Sequence, residues 1–193
     1  IKNRGIEDVE EFLNPDEDSF IDPYLMKGMD ETVTRLQFAM AHKEKIVIFG
    51  DYDVDGVSST SILFRYFEEI GYEVGVYIPD RRKEGYGLNE EAIVHLKDLG
   101  YDLIITVDCG ISAIKEVDLC NQLKMDIIIT DHHQCPEQLP KAYAILNPHQ
   151  SDCSYPFKEL CGAGIALKLV QALKNSSITE LMSYLEIAAV ATM

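Results

Sequence analysis

Residues 45–56 read Lys-Ile-Val-Ile-Phe-Gly-Asp-Tyr-Asp-Val-Asp-Gly. The apolar run is too short for a helix, and a glycine and an acidic turn end it. That is the pattern of a strand covered on both faces in a parallel sheet. The same grammar recurs twice. The run DLIIT leads into Thr106-Val107-Asp108-Cys109-Gly110, and DIIIT leads into Asp131-His132-His133. In an open parallel sheet the loops at the strand C-termini meet along one edge, where ligands bind. Five carboxylates and two imidazoles are therefore expected in one crevice. Oxygen ligands with imidazole added suit Mn²⁺ or a similar ion, and two such ions can drive phosphodiester or phosphoanhydride hydrolysis.

Outward from these runs, helices and strands alternate. Met29, Val33, Leu36 and Met40 fall at helical spacing within 28–43. Strands are expected at 45–50, 73–78, 102–107, 126–130 and 142–146. Helices are expected near 57–70, from an Asn89 N-cap to Gly100, from a Ser112 cap to Leu123, from Gly162, and from about Ser177. Five strands separated mostly by helices predict an α/β fold, a doubly wound, mainly parallel five-stranded sheet with helices on both faces. Residues 1–27, with Pro15, Pro23 and Asp16-Glu17-Asp18, read as an N-terminal arm lying on a domain that spans 28–193. The last residues, LEIAAVATM, form an apolar helix pattern without a cap, as in a chain cut from a longer one.

The chain has 193 residues, with 33 acidic against 17 basic, for a net charge of −16. Such a balance argues against tight nucleic-acid binding, which usually leaves a basic footprint. Metal-holding carboxylates account for part of it, since two divalent ions would return about +4. No apolar run reaches the roughly 18 residues of a membrane span. Five cysteines, an odd number without a CxxC pair, fit reduced thiols and a cytoplasmic protein. The spacing of Cys135, His149, Cys153 and Cys161 matches none of the usual zinc patterns.

Each motif has a plainer alternative. DYDVDG could be a solvated turn capping a helix. Three unpaired carboxylates beside an apolar strand repel one another without a cation, which favours a metal site. A calcium loop of the EF-hand type fits poorly, because its twelfth position is Ile62 and a strand precedes it. Asp108 alone could cap a helix; its place at an edge shared with DYDVDG raises its standing. Adjacent imidazoles at a strand end are seldom a packing solution. The loop RRKEGYGLN, with Arg81, Arg82, Lys83, Gly85 and Tyr86, either clamps a phosphate backbone or is merely solvated. The small residues of CGAGIALKL either turn N–H groups towards an anion or allow close packing, with packing preferred. His42 and His95 read as ordinary helix residues; His149 in NPHQ is a weak phosphate-contact candidate.

GDYDVDGVSST, EGYGLN, ITVDCGIS, ITDHH, NPH and CSYPFKELCGAGIALKL together resemble the DHH phosphoesterase superfamily. EGYGLN and the segment from NPH to CGAG resemble its single-strand-specific exonuclease branch. The resemblance implies that Asp53 ligates one ion and Asp55 the other, with Asp108 between them and Asp51 in support. It implies that His132 ligates the second ion and His133 meets the scissile phosphate. It implies two Mn²⁺ or Mg²⁺ ions, 5′→3′ hydrolysis of single-stranded DNA in repair and recombination, and helicase and single-strand-binding-protein partners. It also implies that a further metal-binding aspartate, a C-terminal substrate domain and an OB-fold lie outside this chain. Small-substrate phosphodiesterases share the metal motifs without the CSYPFKELCGAG segment. The pyrophosphatase branch has a His where this chain has Phe49. Non-catalytic replication scaffolds keep the fold and lose ligands that are intact here.

Overall fold

A computed structural model describes residues 20–175 and 178–191. Most of the expected arm, the helix start at Ser177 and the terminal Met193 lie outside the described residues. Five parallel strands form one sheet: β1 (Ile46–Gly50), β2 (Val74–Tyr77), β3 (Leu103–Val107), β4 (Asp126–Thr130) and β5 (Ala144–Leu146). Their order is β2-β1-β3-β4-β5. The helices are α1 (Met29–His42), α2 (Val54–Glu69), α3 (Glu90–Asp98), α4 (Ile114–Gln122), α5 (Gly162–Lys174) and α6 (Ile178–Ala191).

Strand residues alternate between two apolar clusters because successive side chains point to opposite faces. Ile46, Ile48, Leu103, Ile105 and Ile128 join the cluster made with α1, α2, α5 and α6. Val47, Phe49, Ile104, Ile127 and Ile129 join the one made with α3 and α4. Each fully buried Ile, Leu or Phe contributes about 1.5–3 kcal/mol, so β1, β3 and β4, covered on both sides, anchor the fold. The doubly wound reading holds, and the continuous apolar runs have this double burial as their cause.

Three local expectations need correction. The second helix starts at Val54, not near 57, because the Asp53 carboxylate caps it by accepting from Gly56 N at 3.0 Å. Ser112 is not a side-chain cap; α4 opens after Ala113 with no side-chain cap bond. The fifth strand is Ala144–Leu146, shorter than 142–146. Residues 20–27 lie on the domain: Met26 is in the larger core, and Lys168 Nζ donates to Ile21 O at 2.7 Å. Among the described residues no helix is long and apolar enough to cross a membrane.

Candidate metal centre

β1 and β3 are neighbours whose crossovers leave in opposite directions, so the loops after them flank the switch point of the sheet. Asp51 follows β1 directly and Asp108 follows β3. Ligand atoms of Asp51, Asp53 and Asp108 lie within 4.8 Å of one another, as do those of Asp108, His132 and His133. Asp108 therefore belongs to both groups. Its backbone sits in the left-handed region, φ 59°, just beyond a strand whose ladder it continues by donating to Thr130 O at 3.0 Å. That turn aims the carboxylate back into the crevice.

Asp55 extends the second group. His132 Nε2 lies 3.1 Å from Asp108 Oδ1 and 3.6 Å from Asp55 Oδ2. The first pair is close but does not meet hydrogen-bond geometry, and Asp108 Oδ1 and Asp51 Oδ1 are buried oxygens with no hydrogen-bond partner. Burial pushes the Asp51 carboxyl up and the Asp108 carboxyl up to about 6. The Asp108 carboxylate raises His132 in turn. Buried carboxylate oxygens without donors are costly. A divalent cation fits them: the donors are hard oxygens with one imidazole, at spacings that one or two ions can satisfy.

Asp131, the first residue of DHH, is not among the predicted ligands and turns out to frame the histidines. It is buried and accepts from Ile111 N at 2.9 Å, His132 N at 2.8 Å and His133 Nδ1 at 2.7 Å. Burial acts to raise its pKa, but the His133 bond and the backbone donors outweigh it and lower the net value. The Asp131 bond raises His133. With Nδ1–H committed to Asp131, His133 has Nε2 left for the crevice. Asn147, fully buried, donates to His133 O at 2.9 Å and accepts from His149 N at 2.8 Å. His149 stands at the rim, 3.5 Å from Gln134 Nε2, outside both ligand groups.

The basic loop curls over the same edge. The Arg81 guanidinium lies 5.1 Å from the centre of the Tyr52 ring. Arg82 and Lys83 are exposed on the same turn. Gly85 and Gly87 take positive φ, 85° and 75°, and between them they present Tyr86. Its hydroxyl donates to Asp108 O at 3.1 Å, and its ring meets His133 edge-on at 6.0 Å. The structure thus brings Arg81 and Tyr86 to the crevice. Tyr52 and Asn147 were missed; Asp131 was expected in the crevice as one of its five carboxylates, but its part in framing the histidines was not read.

Residues 45–192 match the model of the DHH family, N-terminal domain. This chain belongs to the DHH family. Among its DHH relatives is the single-stranded-DNA-specific exonuclease RecJ of Bacillus subtilis (strain 168), 48% identical over 181 residues, covering 94% of this chain and 23% of that protein. A crystal structure of exonuclease RecJ bound to manganese superposes with TM-score 0.76 at 34% identity, covering 86% of this chain and 43% of that one. RecJ from Thermus thermophilus in complex with Mn²⁺ gives TM-score 0.71 at 31% identity, with 86% and 24% covered. The chain spans about a quarter of the length of the curated relatives it matches.

Proposed function

We propose that this DHH domain is the catalytic part of a metal-dependent exonuclease that hydrolyses single-stranded DNA from 5′ to 3′. The observation that carries the reading is the shared Asp108, which joins Asp51 and Asp53 on one side and Asp55 and His132 on the other. The relatives named RecJ, two of them holding manganese, support the substrate and the ion. Bound divalent ions, Mn²⁺ or Mg²⁺, would supply an acidified water and neutralise phosphoryl charge.

The chain's own residues do the rest. Asp51, Asp108 and His132, just beyond strand ends, and Asp53 and Asp55, at the start of α2, would hold the cations. His133, held through Nδ1 by Asp131, which also raises its pKa, presents Nε2 to a phosphoryl oxygen as charge develops there. Arg81, Arg82, Lys83, Gly85 and Tyr86 guide the incoming backbone, and His149 touches phosphate at the rim. The long-range field of a −16 chain repels DNA, so this local cationic loop is the point of entry. A repair and recombination role in the cytoplasm, with helicase and single-strand-binding-protein partners, belongs to the same proposal.

The test uses the full-length protein with Mn²⁺, a long single strand labelled at its 3′ end, and a dinucleotide. Progressive 5′ shortening with mononucleotide release is expected. Cleavage of the dinucleotide alone would move the protein to the small-substrate branch of the family.

A further inference from the structure

Asp55 lies in the first turn of α2, yet its carboxylate is held by another helix. Gly162 N donates to Asp55 Oδ2 at 2.7 Å and Ala163 N to Oδ1 at 2.8 Å. These are the first two N–H groups of α5, which lack partners inside their own helix. The same turn also meets Asp108. A Cβ on Gly162 would lie 2.8 Å from Asp108 Cβ and 3.0 Å from its Oδ1, the buried oxygen without a hydrogen-bond partner. One turn of backbone therefore fixes the carboxylates on both sides of His132, which approaches Asp55 and Asp108 alike.

We propose that Gly162 and Ala163 are positioning residues for the metal centre. Ala163 orients Asp55 through its N–H, and Gly162 does so too while leaving room for Asp108 by having no side chain. This rests on the two-ion reading above. It predicts that the two ions respond differently to changes in α5. Groups that hydrogen-bond a ligand from outside set its orientation, and losing one costs about 10–100-fold in metal affinity. Ala163→Pro removes one donor to Asp55, and proline is tolerated in a first helical turn. It should weaken one Mn²⁺ site at least about tenfold and spare the other. Gly162→Ala crowds Asp108, which both sites share, and should weaken both.

The experiment is a titration of full-length protein with Mn²⁺, reading free ion by electron paramagnetic resonance, beside thermal melts without metal. Expected are metal-free midpoints within about 3 °C of wild type for Ala163→Pro, and the one-site against two-site pattern. Wild-type affinities in both variants would overturn the positioning role. Equal weakening of both sites in Ala163→Pro would overturn the assignment of that N–H to one ion. Should Ala163→Pro fail to fold, Gly162→Ala decides: wild-type Mn²⁺ affinity at both sites in that variant would overturn the positioning role. Wild-type protein that takes up no Mn²⁺ would remove the metal reading itself, a distinguishable failure.

Discussion

Replacing Lys168 with methionine should change how the stability of this fold depends on pH. Lys168 is 6% exposed, on the buried side of α5. Its ammonium donates to Ile21 O at 2.7 Å and Gln171 Oε1 at 2.9 Å, with the Phe20 ring 4.9 Å and the Tyr155 ring 6.0 Å away. Burial lowers its pKa from 10.5 to about 8, against a smaller opposing pull from Asp22. Between those two values the unfolded chain holds more protons than the folded one, so stability rises with pH across the window. The full shift is worth about 3 kcal/mol, and about 2.5 kcal/mol of it falls between pH 7 and pH 10. Lys168→Met has no such group. Urea melts of both proteins at several pH values give the difference directly, and tyrosine and cysteine titrations cancel because both chains share them. The wild type should gain on the variant by that amount as pH rises. Parallel profiles would show that the ammonium is not desolvated in the folded state.

Gly28→Ala should destabilise the fold by at least about 2 kcal/mol in urea, since φ is +88° and a Cβ would overlap the Ile145 carbonyl oxygen; an unchanged midpoint would refute that close approach. Asp131→Ala strands three backbone donors and the His133 ring. It should cost about 3 kcal/mol by thermal or urea melt and lower nuclease activity, whereas a wild-type melt would show that Asp131 frames nothing. Arg81→Ala with Arg82→Ala should weaken single-stranded DNA binding and reduce its log–log salt slope by about 1.4, read by fluorescence anisotropy over a salt series. An unchanged slope would leave the loop as solvated surface.

The sheet was legible because its three inner strands carry unbroken apolar runs, and double burial is the one environment that demands them. The loops that meet at the crevice were legible for the same reason, as acidic and imidazole residues at the ends of those runs. Less legible were features set by partners far along the chain. DYDVDG reads as a turn, and only the capping bond from Gly56 N shows that Asp53 already begins a helix. Ser112 has the right chemistry for a cap, but the chain takes one more residue to turn before α4. The glycines of CGAG posed a choice between packing and an anion. Both hold at Gly162, and the anion is Asp55, 107 residues away. No local pattern carries that information. Tyr52 and Arg81 meet likewise only because the loop after β2 folds back over the one after β1.

The two borders of the sheet are finished differently. At β5, the outer Ile145 carbonyl is claimed by Gln150 Nε2 at 2.9 Å, and Gly28 presses its backbone against the same atom. At β2 no strand among the described residues pairs with the outer side, and Val76 and Ile78 are 45% and 40% exposed. An open border with apolar side chains invites a strand from another molecule. Here it is only four residues long, with Glu73 before it and Pro79 close behind. Proline has no N–H to offer a newcomer. Brevity and that missing donor guard against self-association, so lengthening β2 or replacing Pro79 would turn a quiet margin into an adhesive one.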